Sequence, residues 1–522
     1  MRVVLARKRV KPCKQDLDYI FAELDWQVEH QPWAAGPDNV AGIDDALTED
    51  QRLRLIELVR SGPEQCIEDN GCSRERDLLD PSLFPLKYQH SRVVGESLAA
   101  RSVAESMARM GLDIGHPIDP SDGEYASKEF QWLPAEIAVS EDGSLAEWTS
   151  YINSLHPETH AELYEVLAEL FAACVPLLER VLARLASPVQ PRIQTDASVW
   201  YKCRADPNKP TDPHDARVNY TSDFKEDADV NDIFDTDSDN TDSDCDDYDE
   251  NSLSRRYNDA RAYHPYAPKS FDPAKLALPA TPWPELILKG RRSQVITKIT
   301  TIHLTPENPK YAGGPWHMDG MANENILATA VYAYDVDNVT DPKLEFRARV
   351  KAPEFEWDDI FGVDSIYGLH GDYGPLSQPR GRISTRCGRA IAFPNLYLHK
   401  ELPFRLADPT RSGYRKAVVY CLVDPRNRIP STTQVAPQSA DWLAHAVLCG
   451  PRRAERFVGC AFPIEIVRRI LVLVPHMTTM VEAEEDRLKY MGEREALLDK
   501  MASIDFTGSL SVHYPEPEVS DD

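Results

Sequence analysis

Positive charge is scarce in this chain. Lys and Arg total 58 against 85 Asp and Glu over 522 residues, a net charge of −27. Phosphate contacts need clustered cations, so this balance argues against general nucleic-acid binding and against docking on an anionic membrane surface. Long apolar runs are missing too. The longest candidate, around Ile464 to Val474, is interrupted by Arg468 and Arg469, well short of the roughly 18 residues a transmembrane helix takes. Ten cysteines are scattered with no Cys-x-x-Cys pair, which argues against a zinc ribbon or finger. The basic start, Met1 to Val10, has no apolar stretch behind it. The expectation is a chain that is not secreted and keeps free thiols in the cytoplasm or nucleus.

The acidic excess is local. Asp223 to Glu250 carries 14 acidic residues and one lysine, too little apolar surface to offset chain entropy. Residues 205–255 therefore read as an acidic disordered insertion, suited to a basic protein partner. Asp235, Asp237 and Asp239 imitate the start of a calcium loop, but Asn240 stands where its glycine belongs. Residues 1–130 read as mostly helical, with amphipathic spacing over Leu17–Trp26, Glu49–Val59 and Ser97–Met110. Residues 131–204 hold a short strand, Trp132 to Ser140, and a long helix over about 160–185 that Pro176 should kink or divide. Residues 256–435 turn to β-branched and aromatic strands: Val295–Leu304, Ile326–Tyr334, Leu344–Val350, Arg382–Phe393 and Ala417–Val423. Short strands so spaced suggest a β-sandwich, jelly roll or barrel. Residues 436–510 return to helix, with Ile464–Val474 and a charged cover helix at Val481–Met501. Residues 511–522 read as a disordered tail.

The chemistry concentrates in Gly313-Gly-Pro-Trp-His-Met-Asp-Gly320. His317 and Asp319 are two apart, and an extended chain puts both on one face. Together they make two thirds of a 2-His-1-carboxylate triad, which holds Fe(II) and leaves positions open. A strand ending Phe393-Pro-Asn395 can return the chain to that cavity and supply His399 as the third ligand. Arg415 follows at the start of an apolar strand, where a guanidinium can clamp a carboxylate through paired hydrogen bonds. A dicarboxylic co-substrate such as 2-oxoglutarate needs that clamp at its far end. Its oxo-acid end would chelate the metal and leave a position for dioxygen. Trp316, Asn395 and Tyr397 flank the ligands as candidate substrate-pocket residues. Aromatic packing, and a turn-fixing role for Asn395, are the competing readings.

The order His-x-Asp, His, Arg resembles the Fe(II)/2-oxoglutarate dioxygenases built on a double-stranded β-helix. Most of the chain is similar to a largely fungal family defined by a domain of unknown function, DUF4246. The likeness runs through Pro81–Leu86, Thr149–Pro157, Ile302–Glu307, Gly313–Gly320, Phe393–Asn395, Pro403–Pro409, Tyr414–Lys416, Leu422–Pro425 and Ala483–Glu495. It implies an α+β chain: a jelly-roll or cupin-like double-stranded β-helix core with large helical N-terminal and C-terminal flanks. It also implies an oxygenase that hydroxylates a C–H bond of a small molecule or protein side chain. The chain departs from that pattern at Asp319, where members commonly carry Glu, and either carboxylate ligates iron. Ala417 stands where many dioxygenases place a serine that helps hold the oxoglutarate carboxylate. Tyr332 or Tyr420 is the expected replacement. Two other functions fit the same residues: a non-catalytic scaffold retaining the fold, and a metal-dependent cupin enzyme that does not use 2-oxoglutarate.

Overall fold

The computed structural model describes residues 14–30, 37–66, 75–95, 102–110, 115–188, 270–275, 286–350, 376–449 and 476–507, apart from 121–122 and 124, with scattered residues at 463–474. The acidic stretch 205–255, the tail 511–522 and much of the expected Ile464–Val474 helix lie outside them. In chain order the elements begin with α1 (Lys14–His30), β1 (Ala41–Ile43), α2 (Glu49–Ser61), β2 (Glu75–Leu79), β3 (Leu86–Lys87) and α3 (Val103–Ala108). Next come β4 (Phe130–Gln131), β5 (Ala135–Val139), β6 (Ala146–Trp148) and α4 (Ala161–Ala186). The strands β7 (Arg292–Leu304), β8 (Lys310–Tyr311), β9 (Ile326–Asp337), β10 (Lys343–Arg349) and β11 (Ser377–Ser384) follow. The last elements are β12 (Ala390–Pro394), β13 (Tyr397–Glu401), β14 (Phe404–Arg405), β15 (Gly413–Val423), α5 (Ala440–Cys449) and α6 (Met480–Thr507).

The fold mixes helices with antiparallel sheet, and its large sheet curls into a half-barrel. That sheet has eight strands in the order β1-β12-β9-β15-β7-β5-β6, with β2 also paired to β7. A smaller sheet runs β11-β10-β13. Alternation along the strands gives the large sheet two buried faces. Val418, Tyr420 and Leu422 of β15 join Ala328, Ala330 and Tyr332 of β9 in a core against α4. On the other face Val331, Ile391, Phe393 and Ala417 pack with Leu344, Phe346, Ala348 and Ile383 of the smaller sheet.

Two sequence expectations change. The run Arg382–Phe393 is two strands rather than one: β11 ends at Ser384, β12 starts at Ala390, and a turn closes between them with Arg389 N–H donating to Arg386 O (3.1 Å). The turn is polar, Thr385-Arg-Cys-Gly-Arg389, with Gly388 at φ +81°, and the strands it joins pair with different sheets. Pro176 does not divide helix α4, which runs from Ala161 to Ala186 as one element. Val175, Leu177 and Leu178 around that proline are all buried in the core, and packing of an apolar face outweighs the lost hydrogen bond. Among the described residues, no helix is long and apolar enough to cross a membrane.

Candidate metal centre

Two glycines shape the loop that carries His317 and Asp319. Gly313 has φ of +90°, and a Cβ there would stand 2.8 Å from the Glu401 carbonyl oxygen. Gly320 has φ of +69°, where a Cβ would strike Ile326. Both positions need a residue without a side chain. The approach at Gly313 lets the loop run alongside β13. His317 N–H donates to His399 O (3.0 Å) and His399 N–H donates to His317 O (2.9 Å). This single antiparallel bridge brings two histidines, 82 positions apart in sequence (399 − 317), ring to ring at 4.3 Å between centroids.

Asp319 is held from both ends. Its backbone N–H donates to Asn395 Oδ1 (2.9 Å), and Asn395 Nδ2 donates to Asp319 O (2.8 Å) and Ile326 O (3.2 Å). Its Oδ2 accepts from Thr329 Oγ1 (2.7 Å) and lies 3.8 Å from His399 Nε2. One ligand atom from each of His317, Asp319 and His399 falls within 4.8 Å of the others. Nδ1 of His317 is 3.0 Å from Pro315 O, and Nδ1 of His399 is 3.5 Å from Tyr397 O. Protons assigned to those nitrogens leave Nε2 of each ring with its lone pair. Burial drives His317 down to about 3, with His399 adding to the effect, and burial lowers His399 as well. Burial pushes Asp319 up, but the two imidazoles, Arg494 and the Thr329 hydroxyl outweigh it and hold the carboxyl below its ordinary value. Two neutral imidazoles and one carboxylate are a donor set that fits a divalent iron ion. Thr329 is the kind of outer hydrogen-bond partner that fixes a ligand's orientation.

Arg415 lies on the same strand face as Ala417, Val419 and Cys421, directed between the sheets. The guanidinium is buried, its side chain 3% exposed, and Nη1 pairs with a Glu401 carboxylate oxygen. Its Nε and Nη2 have no hydrogen-bond partner. Burial pushes the Glu401 carboxyl up against the pull of Arg415. Nearby on β7, Lys298 pairs with Asp77 at 3.0 Å, and Tyr311 Oη donates to Glu75 (3.2 Å). Thr300 sits directly opposite Ala417, on the face that Arg415 occupies.

The remaining sequence candidates fall elsewhere. Tyr332 and Tyr420 are on the opposite face of the sheet from Arg415, in the core with α4, and Tyr420 Oη donates to Leu167 O (2.7 Å). Neither hydroxyl replaces the missing serine. Asn395 is a scaffold residue for Asp319, as described above. Tyr397 Oη donates to Asp38 O (3.1 Å) and accepts from Asn39 Nδ2 (3.0 Å), which ties β13 to the N-terminal segment. The Trp316 ring lies under two cations, Arg347 at 4.4 Å and Lys400 at 4.5 Å from its centroid.

Sequence reasoning missed Thr329, Glu401 and Arg494. Glu401 had a signal, since it lies two residues past His399 on the same strand face. Arg494 had only its place in the shared phrase Ala483–Glu495, on a charged helix far along the chain.

The chain belongs to the family described as "Protein of unknown function (DUF4246)", whose match spans residues 14–446. No curated protein matches it. Among solved structures it is similar to the Fe(II)/α-ketoglutarate-dependent dioxygenase TqaL, at 9% identity, 72% of this chain, 90% of that one and a TM-score of 0.22. It is also similar to IDO from Bacillus thuringiensis, at 10% identity over 25% of this chain and 47% of that one, TM-score 0.17. The chain therefore spans about half the length of that relative. AviO1 from Streptomyces viridochromogenes Tue57 is similar at 12% identity over 46% of this chain and 90% of that one, TM-score 0.16. Likenesses this distant leave the question of activity to the site's own chemistry.

Proposed function

We propose that this member of the DUF4246 family is an Fe(II)/2-oxoglutarate-dependent oxygenase, its two sheets forming the walls of a double-stranded β-helix. The convergence of His317, Asp319 and His399 within 4.8 Å carries the reading. Iron bound there would activate dioxygen while 2-oxoglutarate is decarboxylated, giving hydroxylation of a C–H bond on a small molecule or protein side chain. The chain's own residues do the rest. The Pro315 and Tyr397 carbonyls hold the two imidazoles in the tautomer that ligates through Nε2. Thr329 aims one oxygen of Asp319. Arg415 offers Nε and Nη2, two buried donors without a partner, to the far carboxylate of the co-substrate. Thr300, opposite Ala417, is positioned on the right face to add a hydroxyl.

The test is an anaerobic Fe(II) titration with and without 2-oxoglutarate, following the visible metal-to-ligand charge-transfer band. The band should appear only with 2-oxoglutarate, vanish in His317→Ala and weaken at least tenfold in apparent affinity in Arg415→Ala. A wild-type protein that takes up no iron would overturn the proposal. One observation favours a second reading, a metal-dependent enzyme that does not use 2-oxoglutarate: Arg415 already holds Glu401. Iron uptake with no band, unchanged in Arg415→Ala, would select that alternative.

A further inference from the structure

One cation beside the triad acts on the Asp319 and Glu324 carboxyls from a distance. Arg494, on α6, donates from Nη2 to Met318 O (3.3 Å), the carbonyl between two of the ligands. Its guanidinium carbon lies 4.7 Å from the centroid of the buried Trp132 indole. Among the described residues, no carboxylate forms an ion pair with it. The charge is close enough to act on His317, Asp319 and His399. Helix α6 is held in place by other contacts: Tyr490 to Glu324, Arg487 to Asp80, and Lys87 Nζ to Asp486 at 2.9 Å.

A guanidinium stacked on an indole keeps its plane fixed, and Met318 uses one of its five N–H donors. A fixed cation beside a site for a dication is unfavourable by itself, because like charges repel. An anion bound between them removes that penalty and gains from both. Arg415 is a separate anchor. It pairs with Glu401, two residues past His399 on β13, whereas Arg494 bonds the carbonyl between His317 and Asp319.

We propose that Arg494 is a specificity residue that binds a carboxylate jointly with the triad's metal. The inference rests on the metal reading above. Two sources share this chemistry, the oxo-acid end of the co-substrate and a carboxylate on the substrate.

The experiment uses the full chain loaded with Co(II), whose visible bands report both metal uptake and anion binding. The wild type is compared with Arg494→Met and Arg494→Lys. Oxalate, added to the Co(II) protein, stands for the oxo-acid end. Azide, added to the Co(II) and 2-oxoglutarate complex, stands for a substrate anion. Arg494→Met should weaken at least one anion about 10- to 100-fold with Co(II) affinity unchanged or raised, and Arg494→Lys should recover most of the loss. Loss for oxalate assigns the carboxylate to the co-substrate, and loss for azide alone assigns it to the substrate. Unchanged affinity for both anions overturns the proposal. So does weaker Co(II) uptake with anion binding to the loaded protein unaltered, which would leave Arg494 only a support for the Met318 carbonyl. A wild type that takes up no Co(II) fails the metal reading itself, before any anion is added.

Discussion

The large sheet has α4 on one face and the candidate site on the other, and the same strands build both. On β15, Val418, Tyr420 and Leu422 sink into a core with Leu163, Leu167 and Phe171 of α4. Arg415 points the opposite way, to a buried ion pair with two donors left over. On β9, Ala328 and Ala330 face the helix, whereas Thr329 reaches Asp319. The helix face is apolar and serves stability. The site face keeps buried charges whose desolvation is costly, an arrangement that makes sense where a charged ligand completes them.

This contrast can be broken from either side. The largest effect is expected from Leu167→Ala on the helix face. Leu167 is fully buried, and such truncations cost about 2–5 kcal/mol. Denaturant unfolding should show that loss, while metal affinity of the folded protein stays put. Thr329→Val on the site face should do the reverse. Isothermal titration should find metal affinity lower by about 10- to 100-fold, as for other outer hydrogen-bond partners, or about 1.4–2.7 kcal/mol, with unfolding little changed. If both variants moved both quantities together, the two faces would not be separable.

A third prediction concerns the seam where α6 meets the site. Glu324 accepts from Tyr490 Oη, from Trp132 N–H (3.2 Å) and from Met321 N–H. Burial raises its carboxyl from 4.5 to about 7, against the pull of those donors. Between those two values the folded state holds a proton that the unfolded state has lost. Stability conferred by this group is therefore present below pH 4.5 and is lost as pH rises through about 7. Unfolding measured across that window should show the decline in the wild type. Glu324→Gln should flatten it, whatever its effect on absolute stability. The smallest effect belongs to Tyr420→Phe, which removes the hydroxyl bonded to Leu167 O. About 1 kcal/mol of stability should go, and 2-oxoglutarate affinity should not change. A weakened co-substrate would place the Tyr420 hydroxyl back near Arg415 and contradict the face assignment.

Tyr420 also shows why part of the site was misread. It stands five positions from Arg415, and an odd offset along a strand means opposite faces. The parity was in the chain already. The run Arg382–Phe393 failed for a different reason: the turn signal at Gly388 was present in the sequence and was passed over between two strand-like ends. His317, Asp319 and His399 were legible because spacing by two and strand-like flanks carry over directly into shared direction. Their mutual approach depends on Gly313 and the bridge to β13, which no local pattern specifies.

By itself the sequence pointed to the three side chains that converge, and determined the long apolar helix, most strands and the family to which the chain belongs, because each is encoded in local pattern or contiguous phrases. Tertiary structure alone decided which face of the large sheet carries the site, that Glu401 holds Arg415, and that a charged helix brings Arg494 to the Met318 carbonyl. Those are relations between segments far apart in the chain. They arise from how helices and sheets pack, and packing is settled only when the whole core has formed.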